Sequence, residues 1–431
     1  MNSHAAIQLP AGDRQILREL AARQMTDAQL PLMQERIRDW YRHNDLAGGR
    51  PMVHLELATF AAEVIPPRLR CTSERGRQIE SQILANLLNF ELFDDDRIVP
   101  PFFPLSWRSS FRLFGQDFAV TRATDAKGRN IGYHYIPVIH DLEAELPALP
   151  ASEFSVDKEA TMAEKAALED LFGDILPVRL LTGGLYAVPT QMIVRLMGME
   201  AMFMAMYDCP EALHALLRRI TDDYVAYFRY LEQLGCLLPT NSYAGVCQGT
   251  WGYTRQLPGP DAAAFVQQNP PASVTLLESW GYLDSQETVG ISPDMFAEFF
   301  FPYYQEIASL FGLVSYGCCE PVDPIWDRCI SQLDRLRKVS VSPWCNEAFM
   351  GERLHSRPVI YQRKPSPLFL GVGRELDEAA FRAHIRQTMQ AARGCHLEIT
   401  MRDIYTLEGN EEKGRRAVAI IRELAQTDWH S

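Results

Sequence analysis

The chain has 431 residues, 47% hydrophobic and 23% charged, which suffices for a sizeable core and is ordinary for a folded globular enzyme. Its net charge of −13 disfavours a nucleic-acid or anionic-membrane surface, which needs a clustered excess of Lys and Arg, and leaves a small molecule or a protein as the expected partner. Nine scattered cysteines do not form a secreted disulfide framework, Met1 to Leu30 carries charges instead of a signal-peptide core, and no uncharged run reaches the ~18 residues that span a membrane, so a cytoplasmic location is expected.

The spacing of apolar residues predicts polar helices over residues 12–45 and over Arg68 to Leu92, where Leu69, Ile79, Ile83, Leu84 and Leu87 recur at helical intervals. Residues 111–138 read as a hairpin insertion, with Phe118-Ala119-Val120 and Tyr133 to Val138 flanking a turn at Asp125-Ala126-Lys127-Gly128. Elsewhere short apolar runs alternate with long amphipathic helices. Candidate strands are Met52 to Leu57, Val178 to Thr182, Leu237 to Tyr243, Val274 to Leu277, Leu313 to Gly317, Lys338 to Ser342, Leu368 to Val372 and His396 to Met401. Helix starts are marked at Asp208-Cys209-Pro210-Glu211 and Ser292-Pro293-Asp294, and a helix over Asp377 to Arg393 stops at Gly394. Eight strands joined by helices predict an α/β fold, a (β/α)8 TIM barrel over residues 51–431 behind an N-terminal helical extension at 1–50. An open doubly wound sheet competes, but neither Gly-x-Gly-x-x-Gly nor Gly-x-x-x-x-Gly-Lys is present where such sheets bind nucleotides.

A barrel assembles its active site at the carboxyl ends of its strands, and this sorts the candidates. Cys318-Cys319-Glu320 follows the fifth strand, placing two thiols and an acid at the mouth; Cys395 precedes the eighth and belongs at the floor. A thiol at the mouth can act as a nucleophile or hold zinc when further donors converge. Glu278, Glu287, Glu320 and Asp403 are the acids in range, each equally readable as a helix cap, an ion-pair partner or a solvated loop residue. Trp280, Trp344, Tyr243 and Tyr316 would line the mouth with aromatic surface or serve as packing, and His54 ends the first strand. His396 and Glu398 read as a buried hydrogen-bonded pair.

The segments Gly281-Tyr282-Leu283-Asp284-Ser285-Gln286-Glu287, Gly290 to Phe296, Tyr316-Gly317-Cys318-Cys319-Glu320-Pro321 and Leu336 to Trp344 resemble the uroporphyrinogen decarboxylase superfamily over roughly residues 50–427. That superfamily includes the decarboxylase and zinc-dependent corrinoid or thiol methyltransferases; the Cys-Cys-Glu strand end is similar to a subgroup of its long members. The resemblance implies a (β/α)8 barrel, a ligand at its mouth and a homodimer. The decarboxylase's N-terminal Arg-x-Ala-Gly-Arg segment is missing, which disfavours uroporphyrinogen as substrate. In the methyltransferases zinc is held by a His-x-Cys after the fifth strand and a Cys after the eighth. The matching positions here are Tyr316-Gly317-Cys318 and Arg402-Asp403, so the resemblance implies a zinc set of Cys318, Glu320 or Glu287, and Asp403, or else a thiol acting without metal.

The resulting expectation is an enzyme that moves a methyl group between a small methylated substrate and a corrinoid or thiol. Cys318 and Cys319 would be its catalytic thiols, Glu287 and Asp403 its acid/base groups, and Cys318, Glu320 and Asp403 its metal ligands. Gln286, Trp280, Tyr243, Tyr316, Trp344 and His54 would contact substrate. The sequence lacks the Asp-x-His-x-x-Gly corrinoid motif, so a corrinoid would arrive on a separate protein. A decarboxylase-like lyase, with Asp403 or Glu287 protonating a carbanion, and a non-catalytic corrinoid- or tetrapyrrole-binding protein are the competing readings.

Overall fold

A computed structural model describes residues 8–124 and 130–429. Its strands are β1 (Met52–Leu55), β2 (Phe103–Leu105), β3 (Arg108–Arg112), β4 (Val120–Thr124), β5 (Asn130–Tyr135), β6 (Glu153–Asp157), β7 (Val178–Leu180), β8 (Leu185–Ala187), β9 (Trp280–Leu283), β10 (Leu313–Tyr316), β11 (Leu336–Val341), β12 (Ile360–Arg363) and β13 (His396–Met401). Seven of them form one sheet in the order β1-β13-β12-β11-β10-β9-β8, every pairing parallel. β2 and β7 form a separate parallel pair, and among the described residues no strand pairing joins β1 to β8. The molecule is thus α/β with a parallel sheet.

Helices cross between the strands and bury one face each. The helix Pro210–Gln233 starts on a proline and turns Leu213, Leu216, Leu217, Ile220, Tyr224, Phe228 and Leu231 inward at intervals of three and four. Ser292 caps Pro293–Phe299 by accepting from the Met295 amide, and Asp377 caps Glu378–Ala391 through Ala380. Gly394 stands beyond that helix at φ +79°, the left-handed stop expected of it. The start at 208–211 differs: Asp208 closes the preceding helix, and Cys209 occupies the cap position without a side-chain bond.

Three expected strands are absent. Leu237 to Tyr243 is buried but irregular; Pro239 supplies no N–H, and the chain beyond it folds into a tight return with Gly245 bridging Trp251. Val274 to Leu277 runs into a single helical turn closed by a Thr275–Glu278 capping box, and the strand follows it at Trp280. Leu368 to Val372 is a surface turn between Pro367 and Gly373, with Leu368 and Val372 both exposed, while the strand lies earlier at Ile360–Arg363. The hairpin is present as antiparallel β4 and β5, its turn at Asp125 to Gly128 lying outside the described residues, whereas Phe111 sits in β3 and pairs with β6.

The N-terminal helices Ala11–Ala28 and Pro31–Asn44 are part of the core. Leu17, Met33, Trp40 and Tyr41 are buried in the same apolar cluster as the sheet. Beneath them, Glu398 of β13 pairs with Lys338 of β11 at 2.9 Å, and His43 Nε2 lies 3.5 Å from the same carboxylate. The expected partner of Glu398, His396, is only half-buried and takes no part in that pair.

Candidate functional site

The carboxyl ends of β9, β10, β11, β12 and β13 converge on Cys318. Parallel pairing sets Leu283 of β9 beside Tyr316 of β10, so Asp284 and Ser285 leave the sheet next to Gly317 and Cys318. Glu320 locks the two strand ends together: one carboxylate oxygen accepts the Cys318 amide at 2.8 Å, the other the Ser285 amide at 3.0 Å. The Cys318 carbonyl accepts Ser340 Oγ, on β11, at 2.7 Å and Lys364 Nζ, just past β12, at 2.8 Å. These bonds fix the backbone of Cys318 from both sides.

The two thiols point to the same place. Cys318 Sγ stands 3.5 Å from Cys319 Sγ and 3.2 Å from Gln248 Oε1, and Cys319 Sγ donates to Asp403 Oδ2 at 3.1 Å. Gln248 arrives on the return between Gly245 and Trp251, where Cys247, Gln248 and Gly249 all have positive φ. A Cβ on Gly249 would lie 2.6 Å from Thr400, so only glycine lets the return approach β13 this closely. Asp403 is itself held at φ +58°, a conformation a non-glycine residue adopts at some cost.

The thiols differ in acidity. The Cys319 hydrogen bond stabilises the Cys318 thiolate, burial opposes it, and Lys364 and Arg402 add positive charge, bringing the Cys318 pKa down to about 7. Cys319 is driven upward by its contact with the Cys318 sulfur and by burial. Asp284, just past β9, is close enough to feel the charge of Cys318. Burial, then the neighbouring Glu320, Cys318 and Glu287, raise its pKa well above the carboxylate range, so it is a neutral acid. Its Oδ2 accepts the Tyr282 hydroxyl at 2.8 Å, and its Oδ1 has no hydrogen-bond partner among the described residues.

The other expected residues divide between this centre and elsewhere. Tyr316 is wholly buried, its hydroxyl 2.6 Å from Ser285 Oγ, so it braces the strand end. Glu287 accepts Thr190 Oγ1 at 2.9 Å and is raised mainly by burial. It borders a cavity of about 790 Å³ that also touches Gln191, Tyr135, Met197 and Met199. Gln286 and Trp344 are exposed on the loops after β9 and β11. His54 is buried with Nδ1 2.8 Å from Asp95; burial alone would raise Asp95, but His54 and the Leu55 amide hold it down to about 2. Trp280 is fully buried at the start of β9, its Nε1 donating to Gly252 O at 3.0 Å, and Tyr243 packs on Phe102 with ring centres 5.0 Å apart. Both are core residues. Glu278 caps the turn ahead of β9, at the opposite end of the strand from Asp284.

The expected zinc set does not fit. Both Glu320 oxygens are engaged by backbone amides, and among the described residues no group of three or more His, Cys, Asp or Glu is placed to hold a metal ion. Sequence reasoning missed Gln248, Asp284, Ser340 and Lys364. Asp284 and Lys364 directly follow β9 and β12, the strands placed wrongly in the sequence, so a correct assignment of those strands exposes them. Gln248 carries no local signal. All nine cysteines are free, Cys395 lying apart with its thiol on Gly351 O. No helix among the described residues is long and apolar enough to cross a membrane.

No family model matches the chain, and no curated protein matches it. A methyltransferase from Methanosarcina mazei is a structural neighbour at 14% sequence identity and a TM-score of 0.45, covering 80% of this chain and 85% of that one. A likeness this distant bears on neither the activity nor the site.

Proposed function

We propose that the chain is a methyltransferase-like enzyme of the uroporphyrinogen decarboxylase superfamily, in which the Cys318 thiolate takes a methyl or other small alkyl group from a small-molecule donor. The observation that carries this reading is the pairing of a thiol lowered to about 7 with the buried neutral acid Asp284. Sulfur attacks the alkyl carbon as the carbon–heteroatom bond breaks, and Asp284 protonates the departing heteroatom. Lys364 holds the Cys318 backbone, and Gln248 Oε1 accepts from the Cys318 thiol until it ionises. A second acceptor, a free thiol or a corrinoid on a separate protein, then removes the alkyl group and restores the thiolate. A closed barrel would have the separate parallel pair β2–β7 fill the gap between β8 and β1, the two ends of the seven-stranded sheet.

Incubation with isotopically labelled methyl donors tests the proposal. A label on the peptide containing Cys318, lost in Cys318→Ser and retained in Cys319→Ala, is the expected result. Turnover of a donor that survives Cys318→Ser would overturn it.

One observation favours a second reading. Two cations, Lys364 and Arg402, act on Cys318, and the charge of Cys318 acts in turn on Asp284; cations that can hold a carboxylate next to the thiol, with a raised acid beyond it, suit a lyase in which Asp284 protonates the carbanion. Carbon dioxide release that is indifferent to Cys318→Ala and abolished by Asp284→Asn would identify it.

A further inference from the structure

We propose that Cys318 and Cys319 form a peroxide-reactive modification site that closes to a disulfide between adjacent residues. The argument is geometric. Side chains of neighbouring residues in extended chain normally point apart. Here Gly317, at φ +99°, and the Glu320 anchor turn the chain so that both sulfurs face one side, 3.5 Å apart. Cys319 is partly exposed and Cys318 retains 7% exposure, so the pair lies at the edge of the core and not deep within it.

The steps balance without any group beyond the peroxide. The Cys318 thiolate attacks one peroxide oxygen, the O–O bond breaks, and Cys318 becomes a sulfenic acid with release of hydroxide. The Cys319 sulfur then displaces the sulfenic hydroxyl, forming the S–S bond. Its proton, which it already directs to Asp403 at 3.1 Å, is carried to the departing hydroxyl, which leaves as water. Positive charge from Lys364 and Arg402 favours the first step by holding the thiolate. Adjacent residues are about 3.8 Å apart at Cα, shorter than the 4.4 Å lower bound of ordinary disulfides, so the product is strained and readily reduced. Oxidation therefore removes the thiolate reversibly, and a dithiol restores it. This chemistry does not depend on the alkyl-transfer reading.

The sequence supplies a clean readout. Between Arg255 and Arg328 there is neither Lys nor Arg, so trypsin releases residues 256–328 as one peptide whose only cysteines are Cys318 and Cys319. Native protein is treated with limiting hydrogen peroxide, the remaining thiols are blocked, and the peptide is weighed. The expected result is loss of both blocking groups from this peptide before any other cysteine reacts, with a mass 2 Da below the dithiol that dithiothreitol reverses. In Cys319→Ala, dimedone should capture a sulfenic acid at Cys318, on the order of tenfold faster than at any other cysteine. Peroxide that oxidises Cys71, Cys209 or Cys247 first, or that yields only sulfinic acid or chain-to-chain disulfides at Cys318, would overturn the proposal. The wild-type mass alone decides it should the variant fail to fold. Because no alkyl donor is present, failure here is distinct from failure of the alkyl-transfer proposal.

Discussion

The proton on Cys319 faces two acceptors, the Cys318 sulfur at 3.5 Å and the Asp403 carboxylate at 3.1 Å, and its position decides how acidic Cys318 is. The bond to Cys318 is the largest influence lowering that thiol, ahead of Lys364 and Arg402. Iodoacetamide should therefore alkylate Cys318 with a rate that rises with pH through a midpoint near 7, followed on the 256–328 peptide. In Cys319→Ala the midpoint should move up toward the ordinary thiol range; an unmoved midpoint would assign the effect to the two cations. Glu320 allows an opposite test. It repels the thiolate while tying β9 to β10 through two amides, so Glu320→Gln should lower the Cys318 midpoint and destabilise the fold together. The amide cannot accept on both sides, and stranding one buried N–H costs about 1–3 kcal/mol, which a urea titration would read.

Elements carry those residues into place, and β9 shows how finely. Its Gly281 packs against Phe311, and a Cβ there would lie 2.1 Å from the ring. Gly281→Ala should destabilise the protein by about 1–3 kcal/mol through overpacking and shift Asp284 relative to Cys318. Denaturant midpoints and the Cys318 alkylation rate should both respond; a change in stability with an unchanged rate would show that the strand end is held independently, by Glu320. The same glycine explains why β9 was hard to read. Trp280-Gly281-Tyr282-Leu283 interrupts its apolar pattern with a glycine, whereas Val274 to Leu277 has three branched aliphatic residues and a β-branched threonine, which the Thr275–Glu278 capping box turns into a helical start. At β12, Ile360-Tyr361-Gln362-Arg363 points buried polar side chains inward, and the apolar stretch Leu368 to Val372 proved a surface turn. Periodicity rewards amphipathic and wholly apolar strands, so β1, β10, β11 and β13 were legible and these two were not. The Cys-Cys-Glu triplet was legible for the same reason, because β10 ends cleanly before it. Its partners Gln248 and Lys364 come from the irregular return and the missed strand, and only tertiary pairing reveals them.

At the scale of the molecule, the two helices before β1, Ala11–Ala28 and Pro31–Asn44, are bound into the sheet by charge as well as by apolar packing. His43 closes the helix Pro31–Asn44 over the Glu398–Lys338 pair, and Arg337 Nη1 donates to the Asn44 carbonyl at 2.8 Å. Burial by itself would raise Glu398, but Lys338 and His43 hold it down to about 2, from an ordinary value of 4.5. A depressed carboxyl gives stability that is complete above its unfolded value and is lost as the pH falls through the folded one. Glu398→Gln leaves Lys338 charged and buried without its counter-ion, a loss of about 3–5 kcal/mol. The stability difference between wild type and variant should hold steady from neutral pH to about 4.5 and shrink between 4.5 and 2. Urea titrations across that range measure it, and a difference that stayed constant to pH 2 would mean that Glu398 is not ionised in the folded protein. Because the N-terminal helices supply His43 and part of the common core, a chain beginning at residue 45 should lose the same pH dependence and melt well below the full chain. Equal melting temperatures would instead make residues 1–44 the separable extension that their polarity suggests.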